Sequence, residues 1–383
     1  MAASNDEGLT VTLRPPCVVG DKVEDIDTPA LVVDLDKMER NMDKMTEFMK
    51  EFPSCKLRPH AKSHKCPAIA RMQIQRGAVG VCVQKVTEAE AMVNGGIKDV
   101  LVTNEIYGKT KLKRLASLAS KARIGVCVDS IENLRQVSAA AKDQQTNIDV
   151  LVEVNLKMYR CGVEPDEVVP LVLLAKELPN ITFVGLQCYA GRNQHIRESA
   201  MRSFASHDAM DIAKIAIKNL SDAGIECKYV TGAGTGTFKY EGGIGVLDEF
   251  QCGSYIFMDV DYCRNIGDDG KQFFEFEQSL FVLSTVHSLQ GGSMARAILD
   301  AGIKAIGADS GPPEVYPWKD LVYFFGGDEH GIIVPPGPYK LGEKVYLIPG
   351  HCDPCVNLYD WIVGIRNNVV ETIWPVSGRG PGI

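Results

Sequence analysis

The chain has 383 residues, 45% hydrophobic and 23% charged, with a formal net charge of −8 from 41 basic and 49 acidic side chains. That length holds one large α/β unit and a smaller domain. The acidic balance and the lack of a long basic run exclude nucleic acid or an anionic membrane surface as the main partner. No apolar run reaches the ~18 residues of a membrane span, and the start Met1-Ala2-Ala3-Ser4-Asn5-Asp6-Glu7 offers no apolar leader, so a cytoplasmic protein is expected.

In chain order, short apolar runs predict strands over residues 30–35, 56–58, 78–83, 100–103, 123–128, 150–154, 183–188 and 229–231, with a short one near Gln251. Between them the spacing predicts helices over 36–51, 87–94, 109–119, 131–141, 165–177 and 199–223. Strands alternating with helices of this length make right-handed βαβ units and a parallel sheet. Eight or nine such units predict an α/β chain whose N-terminal part, residues 27–262, closes into a (β/α)8 TIM-like barrel. The chemistry of such barrels lies where strands end, and the polar residues there are Lys62, Asn104, Asp129, Asn155, Tyr189 and Thr231. After Asp261 the pattern changes to short β-branched runs over 274–286, 297–298, 305–307, 331–334, 344–348 and 360–364. These predict a C-terminal antiparallel β-domain over 263–383, which residues 1–26 join, with 10–13 as a further strand.

The segment Arg58-Pro59-His60-Ala61-Lys62-Ser63-His64-Lys65 follows the second predicted strand. In an extended backbone Arg58, His60 and Lys62 project together while Pro59 and Ala61 turn away. Burial and neighbouring positive charge both favour the neutral amine, so a lowered pKa is expected for Lys62. A basic cluster on its own is more often a solvated loop. Thr231-Gly232-Ala233-Gly234-Thr235-Gly236-Thr237 can turn backbone N–H groups toward an anion. It lacks the Gly-Lys-Ser/Thr of a Walker loop, and Gln251-Cys252-Gly253-Ser254-Tyr255 offers a second turn to the same phosphate. In His351-Cys352-Asp353-Pro354 an extended backbone puts His351 and Asp353 on one face, a donor pair suited to Mn, Co or Mg. The twelve cysteines mostly occupy apolar runs such as Val81-Cys82-Val83 and read as small buried hydrophobes. Cys352-Asp353-Pro354-Cys355 matches C-x-x-C but stands alone, so no redox or zinc role is expected.

The octapeptide resembles the R-P-H-x-K-T-H-K segment of the D-threonine aldolase and D-serine dehydratase group, with Ser63 in the threonine position. The resemblance runs from Asp27-Thr28-Pro29-Ala30 to His351-Cys352-Asp353-Pro354, nearly the whole chain. It implies the alanine racemase-like fold type III, with pyridoxal 5'-phosphate held as an imine on Lys62. By the same resemblance Thr231, Gly234, Thr235, Gly253, Ser254 and Tyr255 bind the coenzyme phosphate. Asn155-Leu156-Lys157-Met158-Tyr159-Arg160-Cys161-Gly162-Val163 is similar to a D-x-G-M-x-R-C-G-V pattern, departing at Asn155 and Lys157. That implies Arg160 against the pyridoxal ring or its phenolic oxygen. Tyr189 to His195 follows Y-x-G-x-x-Q-H, implying Tyr189 near the pyridine nitrogen and His195 near the reacting hydroxyl.

Related D-serine dehydratases carry H-x-C where D-threonine aldolases carry H-x-D, so His351 and Asp353 favour the aldolase with a divalent metal. The activity implied is metal-assisted retro-aldol cleavage of D-threonine and related D-β-hydroxy-α-amino acids to glycine and an aldehyde. D-Serine dehydratase, D-3-hydroxyaspartate aldolase with Arg192 or Lys157 binding the extra carboxylate, and a non-catalytic pyridoxal-phosphate carrier are the alternatives. Asp300, Asp309 and Asp328-Glu329-His330 are expected on the C-terminal surface facing the barrel mouth. A head-to-tail homodimer is implied by the resemblance alone.

Overall fold

The structure is a computed structural model that describes residues 13–383. The strand expected over 10–13 therefore lies outside the described residues apart from Leu13. The first strand is β1 (Ala30–Asp34), followed by β2 (Lys56–Leu57), β3 (Val81–Val83), β4 (Asp99–Glu105), β5 (Arg123–Val128), β6 (Ile148–Glu153), β7 (Ile181–Cys188), β8 (Tyr229–Gly232) and β9 (Glu249–Phe250). Strands β2 to β9 form one parallel sheet in the order β2-β9-β8-β7-β6-β5-β4-β3. Its ends meet, because Val79 N donates to Leu57 O and Cys82 N to Pro59 O, each at 2.9 Å, and His60 bridges Cys82. The barrel is filled by alternate inward side chains: Cys82, Leu101, Cys127, Leu151 and Val184 form one buried layer, with Tyr229 packed against it.

A second sheet has nine strands. It contains β10 (Leu280–Gln290), β11 (Arg296–Leu299), β12 (Glu314–Tyr316), β13 (Val322–Phe325), β14 (Gly331–Val334), β15 (Lys344–Ile348), β16 (Trp361–Arg366) and β17 (Val369–Pro375). Its ninth member is β1, which pairs antiparallel with β10 and parallel with β16. The segment 30–35 thus corrects the sequence reading: it is a strand, but not of the barrel. Its side chains explain the placement. Val32 packs with Phe281 and Val363 in one cluster, while Leu31 and Val33 face the main core, so both surfaces of β1 need apolar cover.

Two further expectations differ. The strand expected over 274–286 begins only at Leu280, because Glu277 is fastened to the helix Leu35–Met49: its N–H donates to Asn41 Oδ1 at 2.8 Å and its carbonyl accepts from Asn41 Nδ2 at 2.7 Å. Residues 305–307 are not a strand: Ala305 ends a turn. The Ala305 carbonyl accepts from the Tyr359 hydroxyl at 2.8 Å, and Ala305 N closes onto Gly302 O at 3.0 Å. Among the described residues no helix is long and apolar enough to cross a membrane.

Candidate active site

A cavity of about 320 Å3 opens at the C-terminal ends of the barrel strands, closed on one side by the helix Cys352–Val356 of the β-rich part. Its floor is polar. The His60 ring Nε2 lies 3.0 Å from Thr103 Oγ1, and Gln251 Nε2 donates to Gln187 Oε1 and Thr231 Oγ1, both at 2.8 Å. Because His60 Nδ1 accepts the Lys62 backbone N–H at 3.3 Å, the ring proton sits on Nε2 and points at Thr103 Oγ1. Burial, reinforced by the Lys62 charge, pushes the His60 pKa well down, and the ring is neutral.

Lys62 stands on a short 3-10 turn (Ala61–Ser63) just past β2, with its side chain 38% exposed into this cavity. Its amine lies 3.1 Å from Asp353 Oδ2. The neighbourhood expected from sequence is corrected here. Arg58 does point into the barrel, but below the site, where Glu249 binds it through Nε at 2.8 Å and NH2 at 3.0 Å and Asp99 takes NH1 at 2.6 Å. It lends Lys62 no free charge. Asp353 dominates instead and raises the Lys62 pKa above its ordinary value, against the effect of burial, so the amine is cationic rather than neutral.

His351 and Asp353 come together as expected, though not on an extended backbone. His351 is the extended residue before the helix Cys352–Val356 and Asp353 lies in its first turn, which brings His351 Nε2 to 4.0 Å from Asp353 Oδ2. Nδ1 of His351 is 2.7 Å from Asp309 Oδ2, so that N–H points at the carboxylate; against burial, Asp353, Asp259 and Asp309 raise the ring's pKa, and a divalent ion would take the place of the proton on Nε2. Burial alone would raise the Asp353 pKa, but Lys62 and His351 outweigh it and hold the carboxyl well below the usual range. An imidazole and an ionised carboxylate, with room for water beside them, fit a hard or borderline divalent ion. Cys352 and Cys355 are buried and unpaired in the same short helix, and no disulfide forms among the twelve cysteines.

The glycine-rich loops face the same cavity. Thr235 is 1% exposed, yet its hydroxyl has no hydrogen-bond partner within the protein. A Cβ on Gly234 would sit 2.5 Å from Gln194 Oε1, one on Gly236 2.3 Å from Gln194 O, and one on Gly253 2.9 Å from His60 O. Only glycine allows this close approach. An orphaned donor in a backbone cradle, opposite a lysine, fits the phosphate and aldehyde ends of pyridoxal phosphate. Gly234, Thr235, Gly253, Ser254, Arg160 and Tyr189 all line the cavity. Thr231 and Tyr255 do not. Thr231 belongs to the floor through Gln251, and the Tyr255 hydroxyl turns away to accept from Gln73 Nε2 at 3.0 Å.

His195 also lines the cavity, with Nδ1 2.7 Å from Asp261 Oδ2. Arg197 shares that carboxylate; together they overcome burial and keep Asp261 well below the usual range. Sequence reasoning missed Asp261, Asp309 as the orienting partner of His351, and Gln194. The Gln194 side chain accepts from Gly236 N at 2.9 Å and donates to Thr237 Oγ1 at 2.8 Å. Gln194 stands in the Y-x-G-x-x-Q-H pattern, but nothing in that pattern shows its hold on the glycine-rich loop, and the roles of Asp261 and Asp309 have no local motif. Also missed was a group of three possible ligands, Glu105, Asp129 and Cys161. Beside it Glu153 is pushed up to about 9 by burial and by the neighbouring Glu105, so the Glu153 carboxyl keeps its proton at neutral pH. Asp300 turns inward to accept from Ser284 Oγ and Thr28 Oγ1, both at 2.5 Å, and so serves packing between strands.

Two family models match the chain: alanine racemase, N-terminal domain, over residues 33–261, and a putative serine dehydratase domain over residues 279–365. The chain is 44% identical to a D-threonine aldolase of Arthrobacter sp over 374 residues, covering 97% of each. It is 42% identical to a 3-hydroxy-D-aspartate aldolase of Paracoccus denitrificans over 387 residues, covering 100% of this chain and 99% of that protein. The crystal structure of D-threonine aldolase from Filomicrobium marinum superposes with a TM-score of 0.91 at 45% identity, covering 96% of this chain and 99% of the other. The two-sheet fold and a likeness that runs the full length of these relatives lead to one assignment: the chain belongs to the D-threonine aldolase and 3-hydroxy-D-aspartate aldolase family, carbon–carbon lyases of the pyridoxal-phosphate-dependent, alanine racemase-like fold.

Proposed function

We propose that this protein cleaves D-threonine and related neutral D-β-hydroxy-α-amino acids to glycine and an aldehyde, using pyridoxal phosphate on Lys62 and a divalent ion on His351 and Asp353. The observation that carries the reading is the convergence of Lys62 Nζ and His351 Nε2 on the same Asp353 oxygen, at 3.1 and 4.0 Å. It occurs in a cavity that also holds the orphaned Thr235 hydroxyl. The coenzyme, when bound, supplies an electron sink at Cα and the ion lowers the pKa of the substrate hydroxyl.

The protein's own groups divide the remaining work. Thr235 and the glycine-rich loops hold the phosphate; Arg160 and Tyr189 face the ring. His351, its tautomer fixed by Asp309, and Asp353 hold the ion. Asp261 accepts the His195 Nδ1–H and leaves Nε2 free to take the hydroxyl proton, a role worth roughly 10²–10⁴-fold in rate.

A neutral substrate side chain is favoured because the two cations that could bind a distal carboxylate are engaged elsewhere. Lys157 Nζ is 2.7 and 2.9 Å from the Asp208 oxygens, and Arg192 stacks over the Tyr159 ring at 5.8 Å. Neither lines the cavity. The homodimer remains part of the proposal, and exposed Phe274, Trp318 and Phe324 on the β-rich part support it; sedimentation equilibrium measures it.

The deciding experiment incubates the protein with pyridoxal phosphate and D-threonine, with Mn2+ or with chelator, and measures glycine and acetaldehyde. Both are expected only with the metal and only from the D-isomer. Pyruvate and ammonia from D-serine, without glycine from D-threonine, would instead mark a dehydratase.

A further inference from the structure

The last residue of the lysine octapeptide, Lys65, has no part in the chemistry above, yet it is placed with care. Its side chain is 11% exposed and its backbone takes the left-handed conformation (φ 50°), which costs a lysine energy that its surroundings must return. Lys65 Nζ donates to Asn357 Oδ1 at 2.6 Å and lies 3.2 Å from Glu88 Oε1. The same Asn357 oxygen accepts from Gly380 N at 2.9 Å, and Lys65 O accepts from Gly378 N at 3.1 Å.

Asn357 directly follows the helix that carries Asp353, and its own N–H donates to Asp353 O at 3.3 Å. Two rungs therefore link the barrel to that helix. One runs from Lys62 to Asp353 and the other, one turn further along each segment, from Lys65 to Asn357. The second rung needs no coenzyme or ion. The C-terminal segment is laid across it: Val376 N donates to Asp360 O at 2.8 Å, and a Cβ on Gly378 would sit 3.4 Å from both Lys65 Cβ and Glu88 Cγ.

We propose that Asn357, with Lys65 and the Gly378–Gly380 strap it ties down, is a positioning residue that fixes the spacing between the Lys62 amine and the Asp353 carboxylate. The inference rests on the reading of Lys62 and of the His351–Asp353 pair given above. It adds that a contact between the two halves of the chain anchors the short helix Cys352–Val356 at its far end, so loosening the contact lets that helix shift and carries Asp353 out of place beside His351.

The test uses the full chain loaded with pyridoxal phosphate, and the variants Asn357→Ala, Asn357→Asp and Lys65→Met. Mn2+ binding is followed by the loss of the free-ion electron paramagnetic resonance signal, coenzyme attachment by visible absorbance, and folding by thermal melting. In Asn357→Ala and Lys65→Met the Mn2+ concentration for half-saturation rises about tenfold while coenzyme absorbance is retained. Asn357→Asp keeps an oxygen for Lys65 and Gly380 and returns to within about twofold of the native value. A strap with a structural role alone would lower the melting temperature and leave Mn2+ binding at its native strength, which overturns the proposal. If the native protein itself fails to bind Mn2+, the reading of the pair falls and this proposal with it. If the native protein binds and both weakening variants bind equally well, only the positioning role falls.

Discussion

Replacing Glu241 by glutamine removes a charge that the fold holds at a cost. Glu241 lies beneath the glycine-rich loop, 1% exposed, and accepts the Thr237 hydroxyl at 2.8 Å. Its second oxygen has no partner, and burial raises its pKa from 4.5 to about 7. Below pH 4.5 the carboxyl is protonated in both folded and unfolded chains and contributes nothing. Between 4.5 and 7 the folded protein keeps a proton that the unfolded chain has released, and above 7 both are ionised, with the folded state bearing a buried charge. Stability therefore falls as pH rises through this window. The rise to about 7 corresponds to about 3 kcal/mol at full effect. Glu241→Gln keeps the acceptor for Thr237 and cannot ionise. Thermal melting followed by circular dichroism at pH 5 and pH 8.5 is the assay. The variant is expected to match the native protein within about 1 °C at pH 5 and to exceed it by about 3–6 °C at pH 8.5. An equal difference at both pH values, or a less stable variant at pH 8.5, would refute the argument from burial.

Other outcomes follow from geometry already described. Arg58→Ala leaves Glu249 and Asp99 without their buried partner and costs about 3–5 kcal/mol, read from urea denaturation. Asp261→Asn frees the His195 ring from its orienting carboxylate; kcat falls about 10–100-fold with KM little changed, and steady-state kinetics decide. Asp353→Ala abolishes the metal response. It also removes the charge that holds the Lys62 pKa up, so in metal-free protein coenzyme attachment, followed by absorbance, extends to lower pH than in the native chain. Lys62→Ala releases pyridoxal phosphate on dialysis and lowers turnover by at least about 1000-fold.

The barrel was legible because its strands and helices carry their own periods, and every expected helix was found with shifted ends. The partner sheet of β1 was not. An apolar strand ahead of a helix looks the same whether it enters a barrel or pairs with a segment some 250 residues later, and only its need for cover on both faces separates the cases. At the site, Lys62, His351 and Asp353 were named by motif. Their electrostatics were misjudged, because Arg58 is adjacent in sequence but neutralised by Glu249 and Asp99, whereas Asp353 is 291 positions away and in contact. Asp309 was expected near the barrel mouth, but its hold on His351, like that of Asp261 on His195, carries no local pattern and became visible only once the chain was folded.

The position of β1 has a bearing on synthesis. Its hydrogen-bonding neighbours are β10 and β16, so the strand leaves the ribosome long before either exists. At ordinary elongation rates the wait for β10 is on the order of ten seconds or more. Through that interval Leu31, Val32 and Val33, buried at 1%, 0% and 0% in the finished fold, have no sheet to join. The barrel can close meanwhile, since none of its eight strands depends on residues 30–34. Fragments cut where the two family models begin and end, at 33–261 and 279–365, would divide β1 and leave β10 facing solvent along one edge. Expression of either half by itself is therefore expected to give aggregated protein, and co-expression to succeed only when residues 30–34 reach the later half.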